Sequence, residues 1–248
     1  ACRLAIEHRE LYSTKDFKKV DRVLKLAADR LQELQSNKAS WTASSGLQVR
    51  GYLSSVDGSV QPYGLVLPEG WQKEQRLPLY VWLHGRGDKN TDLHFINERL
   101  DKIGQISPEQ GIVLHPFGRQ CIGYKSAGEI DVLEAIDQTV ANYPIDRNKI
   151  VLMGFSMGGA GVWHISGHYS ERFVAASPGA GFAETARYQR LQPEDYPSEY
   201  EQILWRIYDV PGYVRNLFNL PVIAYSGEND KQIQAARVME EAYATQGE

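Results

Sequence analysis

The stretch KIVLMGFSMGGAGVWH, residues 149–164, decides the architecture. An apolar run from Lys149 to Phe155 ends in Gly154-Phe155-Ser156-Met157-Gly158-Gly159, and a small-residue helical pattern from Met157 to Tyr169 follows at once. The spacing predicts a strand, a sharp turn and a helix, with glycines two before and two after the serine so that the two backbones approach without Cβ clashes. A serine on such a turn sits in strained geometry, and its Oγ is thrust above the sheet. The backbone N–H of Met157 falls at a helix N-terminus, where it can hold developing negative charge. A glycine-rich turn carrying an idle serine is the alternative reading of the same spacing.

Working outward, apolar runs alternate with helical stretches on both sides of the elbow. Strands are predicted at Leu77 to His84, Gly111 to His115, Lys149 to Phe155, Phe173 to Pro178 and Leu220 to Ser226. Helices are predicted at Gly128 to Tyr143, Met157 to Tyr169 and Gln232 to Thr245. This alternation implies a mostly parallel, twisted sheet with helices on both faces. Upstream, Leu47 to Ser54 and Val60 to Leu67 flank Asp57-Gly58, an antiparallel hairpin signal. From Lys15 to Asn37, Phe17, Val20, Val23, Leu24, Leu26, Ala27, Leu31 and Leu34 recur at helical spacing, so one amphipathic helix with an apolar docking face is expected. The division that follows is a helical segment 1–45 and a catalytic domain 46–248. An aromatic-rich insertion at about 184–214 carries Tyr188, Tyr196, Tyr200, Trp205, Tyr208 and Tyr213 and is expected as a lid or a packed cap.

Composition narrows the function classes. With 27 Lys plus Arg against 31 Asp plus Glu the net charge is −4, so no basic surface invites nucleic acid. Apolar runs such as Pro78 to Leu83 fall far short of the roughly 18 residues a membrane span needs. Cys2 and Cys121 are too few for a disulfide framework or a zinc knuckle, which leaves the compartment open. The chain begins at Ala1 with no basic-then-apolar leader, so a signal peptide is read as removed or upstream. Phosphate-cradling loops, metal-ligand clusters and catalytically spaced carboxylate pairs are not evident, so no cofactor and no metal are expected. Asp131, Asp137 and Asp146 are expected to cap helices or pair with Arg147 and Lys149.

Two further motifs complete the chemistry. Leu83-His84-Gly85-Arg86-Gly87-Asp88 follows a strand and offers the backbone N–H of Arg86 as a second donor facing that of Met157. Losing one such donor commonly costs about 3 to 4 kcal/mol of transition-state stabilisation. Tyr225-Ser226-Gly227-Glu228-Asn229-Asp230 closes a later strand and supplies Asp230 as the carboxylate that would orient a histidine, with Glu228 as its rival. No histidine follows Asp230. His8, His84, His94, His115, His164 and His168 all lie upstream and are read as structural, with His164 and His168 about 12 Å or more along the helix behind Ser156 at 1.5 Å per residue. The expectation is that the chain stops before its last strand and a histidine loop, leaving the C-terminal strand missing.

These motifs, in this order and with Gly128 to Gly181, resemble the prolyl-oligopeptidase-like and esterase, polyester-depolymerase-like, branch of the α/β-hydrolase superfamily, over roughly Leu47 to the end. LHGRGD and GFSMGGA are also similar to stretches of acyl-protein thioesterases and small carboxylesterases. The resemblance implies the α/β-hydrolase fold, Ser156 as nucleophile, Asp230 as triad acid, Arg86 and Met157 as oxyanion donors, and a secreted or periplasmic setting. It implies a small-molecule ester or peptide as substrate. The first reading is a carboxylesterase-type serine hydrolase, the second a prolyl-oligopeptidase-type serine peptidase, though no propeller signature is present. The third is a non-catalytic binding module on the same scaffold.

Overall fold

The computed structural model describes residues 1–247. Two helices open the chain, α1 (Cys2–Glu7) and α2 (Asp16–Gln35). The hairpin follows as β1 (Gly46–Leu53) and β2 (Val60–Leu67), antiparallel with Gly46 opposite Leu67 and Leu53 opposite Val60. Asp57 shapes its turn by accepting the Ser59 N–H at 3.0 Å, the local bond for which aspartate is favoured there. The alternating part then runs β3 (Leu77–Leu83), α3 (Asp92–Asp101), β4 (Ile112–Pro116), α4 (Ala127–Asn142), β5 (Ile145–Phe155), α5 (Met157–His168) and β6 (Ala175–Gly179). Two short helices, α6 (Thr185–Gln189) and α7 (Glu199–Trp205), lie in the aromatic insertion, and α8 (Ile233–Gln246) closes the described chain. The helix α3 has no counterpart among the sequence expectations.

The six strands form one sheet in the order β1-β2-β4-β3-β5-β6. β2 meets β4 antiparallel, while β3 with β4, β3 with β5 and β5 with β6 are parallel, so the mixed sheet begins with the hairpin as expected. The main core gathers Leu79, Val81, Leu83, Leu114, Leu152 and Ala176 with Val162, Ile165 and Val238 from α5 and α8. On the opposite side α3 packs on β1 and β2, and a small cluster of Ala5, Val20 and Leu93 joins α1, α2 and α3. Coverage of that side is uneven: Val151 and Met153 are half-buried, and Phe155, Ile223 and Tyr225 are 42%, 71% and 63% exposed. None of the helices among the described residues is long and apolar enough to cross a membrane.

Three expectations are corrected. Only one edge of the apolar stripe of α2 docks: Val20 is buried and Val23 and Leu26 half-buried, whereas Phe17, Leu24, Leu31 and Leu34 are exposed. The strand expected at Leu220 to Ser226 is reduced to two isolated parallel bridges, Val222 with Ala176 and Tyr225 with Gly179, because Pro178 of β6 has no N–H for the Ile223 carbonyl, which accepts the Ser177 hydroxyl at 3.1 Å instead. Asp131 neither caps a helix nor pairs with a cation; it is buried in α4 and accepts hydrogen bonds from the Tyr52 hydroxyl and from the Gly118 N–H. Burial raises its carboxyl to about 6. Asp137 pairs with Arg172, and Asp146 with Lys149 at 3.4 Å as expected. The boundary at 248 lies outside the described residues.

Candidate active site

Ser156 is the residue between β5 and α5, at φ 59° and ψ −119°. That conformation is unfavourable for any residue with a Cβ, so it persists only where the surroundings fix it. The fixing contacts are explicit. Its N–H donates to the Gly179 carbonyl at 2.8 Å and its carbonyl accepts the Ala160 N–H at 3.0 Å. The first turn of α5 is seated on β3 so closely that a Cβ on Gly158 would lie 2.0 Å from the Leu83 carbonyl oxygen. Only glycine fits there. The serine side chain makes no capping bond to the helix it begins, which leaves its Oγ uncommitted. Met157 occupies the first helical position, where the N–H has no intrahelical acceptor.

The loop 84–88 comes directly to this turn. A Cβ on Gly85 would lie 3.5 Å from the Phe155 carbonyl oxygen and 3.7 Å from the Ser156 Cβ. The Arg86 side chain turns away, three-quarters exposed, with Nε on Asp88 Oδ1 at 2.8 Å, which raises the guanidinium above its ordinary value. What Arg86 can present inward is its main chain. Contacts from residues 117–124 brace the loop: the Tyr124 hydroxyl donates to the His84 carbonyl at 3.0 Å, and Gly87 N–H donates to Cys121 Sγ at 3.2 Å. His84 belongs to the brace, its ring nitrogens against the Gly85 and Phe117 carbonyls at 2.8 and 3.0 Å.

Asp230 is half-buried in the turn before α8, and its Oδ1 accepts the Gln232 N–H at 2.9 Å. Glu228 is exposed in the same turn. A strap links this turn to the elbow. Gln232 Oε1 accepts the Gly181 N–H at 2.8 Å, the Ala180 N–H donates to the Tyr225 carbonyl at 2.7 Å, and Gly179 holds Ser156. The structure thus draws Ser156, Met157 and the Gly85-Arg86 turn together and places Asp230 in the adjoining turn. Four more histidines hold other partners, His94 with Lys19, His115 with the Ile103 carbonyl, His164 with the Tyr124 carbonyl and His168 with Glu129, and His8 is exposed at the C-terminal end of α1. Burial lowers His115 and His164 to about 3, whereas Glu129 raises His168. The strap 179–181 and the bracing segment 117–126 escaped the sequence reading, although Ser126-Ala127-Gly128 repeats the spacing of Ser156-Met157-Gly158.

A mixed sheet with a strained serine between a central strand and the helix behind it defines the α/β-hydrolase fold. The fold is shared with a ferulic acid esterase (TM-score 0.58, 20% identity, 82% of this chain and 88% of that one). It is shared also with the S-formylglutathione hydrolase FrmB of Staphylococcus aureus (TM-score 0.56, 18% identity, 82% and 87%). The chain belongs to the prolyl oligopeptidase family, whose model matches residues 119–246. It is 26% identical over 213 residues to dipeptidyl-peptidase 5 of Porphyromonas gingivalis, covering 76% of this chain and 31% of the relative. It is 25% identical over 173 residues to an uncharacterized secreted protein of Arthroderma benhamiae, covering 64% and 18%. The chain therefore spans about a third or less of the length of these relatives.

Proposed function

We propose that this protein is a serine hydrolase that cleaves an ester by acyl transfer to water. The observation that carries the reading is Ser156 itself, held at φ 59° with an uncommitted Oγ at the head of α5 and beside the Gly85 turn. In this reading Ser156 Oγ attacks the substrate carbonyl, and the oxygen that becomes negative is held by the N–H groups of Met157 and Arg86. Asp230 supplies the carboxylate that orients the base and stabilises its protonated form. That base takes the Ser156 proton and returns it to the leaving alcohol, while the rings of His84, His94, His115, His164 and His168 are held by other partners. The collapse of the tetrahedral species expels an alcohol and leaves an acyl group on Ser156, and water then releases the acid.

Peptide cleavage is the second reading, favoured by the prolyl oligopeptidase family match and by a relative named as a dipeptidyl-peptidase. Both readings use the same serine. Labelling with a fluorophosphonate probe tests them together, because an activated serine reacts and an idle one does not. The expected result is labelling of the protein that vanishes in Ser156→Ala. Folded protein that stays unlabelled would sink both readings and leave a binding module on a hydrolase scaffold. Parallel turnover of nitrophenyl esters and of proline-containing peptide anilides then separates ester from peptide.

A further inference from the structure

Lysines of this protein carry carboxylate partners in many places: Lys19 on Asp16, Lys25 on Asp29, Lys102 on Glu98 and Lys149 on Asp146. Lys15, Lys18, Lys38, Lys73, Lys89 and Lys231 have no such partner among the described residues and stand exposed, which makes Lys125 different. It is half-buried, and no carboxylate lies within salt-bridge distance of it among the described residues. Its ammonium instead lies 5.0 Å from the centroid of the Phe182 ring and 5.0 Å from that of Tyr208. Two ring faces offset part of the hydration an ammonium loses on burial. They give its three donors no protein acceptor. Desolvation lowers the Lys125 ammonium from its ordinary value, with Asp209 the acid that opposes the shift. Asp209 is itself engaged, accepting the Thr185 N–H and hydroxyl at 2.9 and 2.7 Å. The Lys125 nitrogen is not walled in, since it is absent from the buried polar atoms that lack partners.

The cage stands close to the elbow. On one side of Lys125, buried Tyr124 donates to the His84 carbonyl, one residue before the Gly85 that packs on Ser156, and its own carbonyl meets His164 Nε2 at 2.8 Å on α5. On the other side the Ser126 N–H donates to the Tyr208 hydroxyl. Phe182 directly follows the strap 179–181 that holds the Ser156 N–H. Phe182 is therefore one residue from the strap that holds the Ser156 turn, and Tyr208 joins the cage from the insertion.

We propose that Lys125, with Phe182 and Tyr208, is a carboxylate-recognising subsite, so that the substrate class is an ester whose acyl or alcohol part carries a carboxylate on an apolar or aromatic arm. The arm packs beside the rings, and the ammonium donates charge-assisted hydrogen bonds to the carboxylate in a half-desolvated setting. The assignment deepens the ester-hydrolase reading and rests on it for the word substrate. The subsite itself requires no turnover.

The test is equilibrium binding by calorimetry of a matched pair, 4-phenylbutyrate and the neutral 4-phenylbutyramide, to the protein and to Ser156→Ala. The expected result is that the carboxylate binds roughly tenfold or more tightly than the amide on both proteins. The preference disappears in Lys125→Met and survives in Lys125→Arg. Equal affinities, no saturable binding of either probe, or a preference that persists in Lys125→Met overturns the proposal. If Lys125→Met fails to fold, the pair on the unmutated protein and on Lys125→Arg still decides. A lysine that merely pins the insertion would lower the melting temperature on removal and leave the matched pair indistinguishable, which also overturns it. Carboxylate preference without fluorophosphonate labelling refutes the hydrolase reading alone; labelling without preference refutes this subsite alone.

Discussion

Replacing Ser156 with glycine removes the side chain on which the proposed chemistry rests and also removes a strain. At φ 59° and ψ −119° a residue with a Cβ carries about 1 to 3 kcal/mol of backbone strain, which glycine does not feel. Glycine gives back about 0.4 to 1 kcal/mol through the greater freedom of the unfolded chain. Alanine keeps the Cβ and the strain, and loses only an Oγ that bonds nothing in the helix cap, so Ser156→Ala is expected within about 0.5 kcal/mol of the parent protein. The informative comparison is glycine against alanine. Ser156→Gly is expected to be the more stable by about 1 kcal/mol, or roughly 2 to 4 °C in melting temperature for a chain of this size. Circular dichroism melts of the two variants, checked by urea unfolding, read this directly. Both variants lose fluorophosphonate labelling, so any difference in stability belongs to the backbone and not to the chemistry. A Ser156→Gly protein that melts at or below Ser156→Ala would refute the claim that the fold stores strain at this turn.

Three further predictions concern the same geometry and three of the histidines. Gly158→Ala places a Cβ 2.0 Å from the Leu83 carbonyl oxygen, backbone that cannot swing aside, and is expected to destabilise by about 3 kcal/mol or more; a parent-like urea midpoint would show that α5 is not seated on β3 as described. His115 and His164, lowered to about 3 by burial, fold in their neutral forms while the unfolded chain takes up protons below about 6.5. Their contribution is complete above that value and lost as pH falls toward 3, so melting temperature drops on acidification and His164→Gln flattens part of the slope. His168 has the opposite sign, because Glu129 raises it: its contribution is complete below about 6.5 and fades as pH rises past its folded value. His168→Gln is expected to flatten the alkaline side only, and an unchanged slope would count against the His168 and Glu129 pair.

The parts of this fold that the sequence announces are those whose signal is local. The elbow, the hairpin and the helices α4, α5 and α8 each follow from spacing within one short window. The helix α3 is hard to read because it is only ten residues long and Asn97 and Arg99 stand among its buried residues, which blurs the helical spacing of Leu93, Ile96 and Leu100; Asn97 satisfies its amide on the Leu93 carbonyl at 2.9 Å. In α2 the apolar residues form one stripe about half the circumference wide, and hydrophobicity alone cannot tell which edge of it docks. Polar contacts accompany the face that docks: Asp16 is buried against the Ser13 N–H and Lys19, which hold it down at about 2, and Arg30 reaches the Val49 carbonyl at 2.9 Å. At the site, Ser156 and the Gly85 turn are legible because both motifs are contiguous. Lys125 is not, since its partners Phe182 and Tyr208 come from the strap and the insertion, far along the chain.

The second elbow shows how much of such a site is imposed from outside. Ser126 heads α4 at φ 50° and ψ −121°, nearly the angles at which Ser156 heads α5. Each serine is followed two residues later by a glycine whose Cβ would strike a carbonyl oxygen, that of Gly118 at 2.8 Å for Gly128 and that of Leu83 at 2.0 Å for Gly158. Each strained N–H is held by a distant segment, the Tyr208 hydroxyl for Ser126 and the Gly179 carbonyl for Ser156. The pattern Ser-x-Gly therefore reports a helix start pressed against a neighbouring backbone, and the strain is sustained by the element that grips the serine. At Ser156 the grip comes from the strap beneath the proposed nucleophile. At Ser126 it comes from the insertion, through the same tyrosine that walls the Lys125 ammonium. A substitution that loosens Tyr208 would release the head of α4 and open the Lys125 cage in one step, which couples the insertion to the recognition subsite without any contact to Ser156.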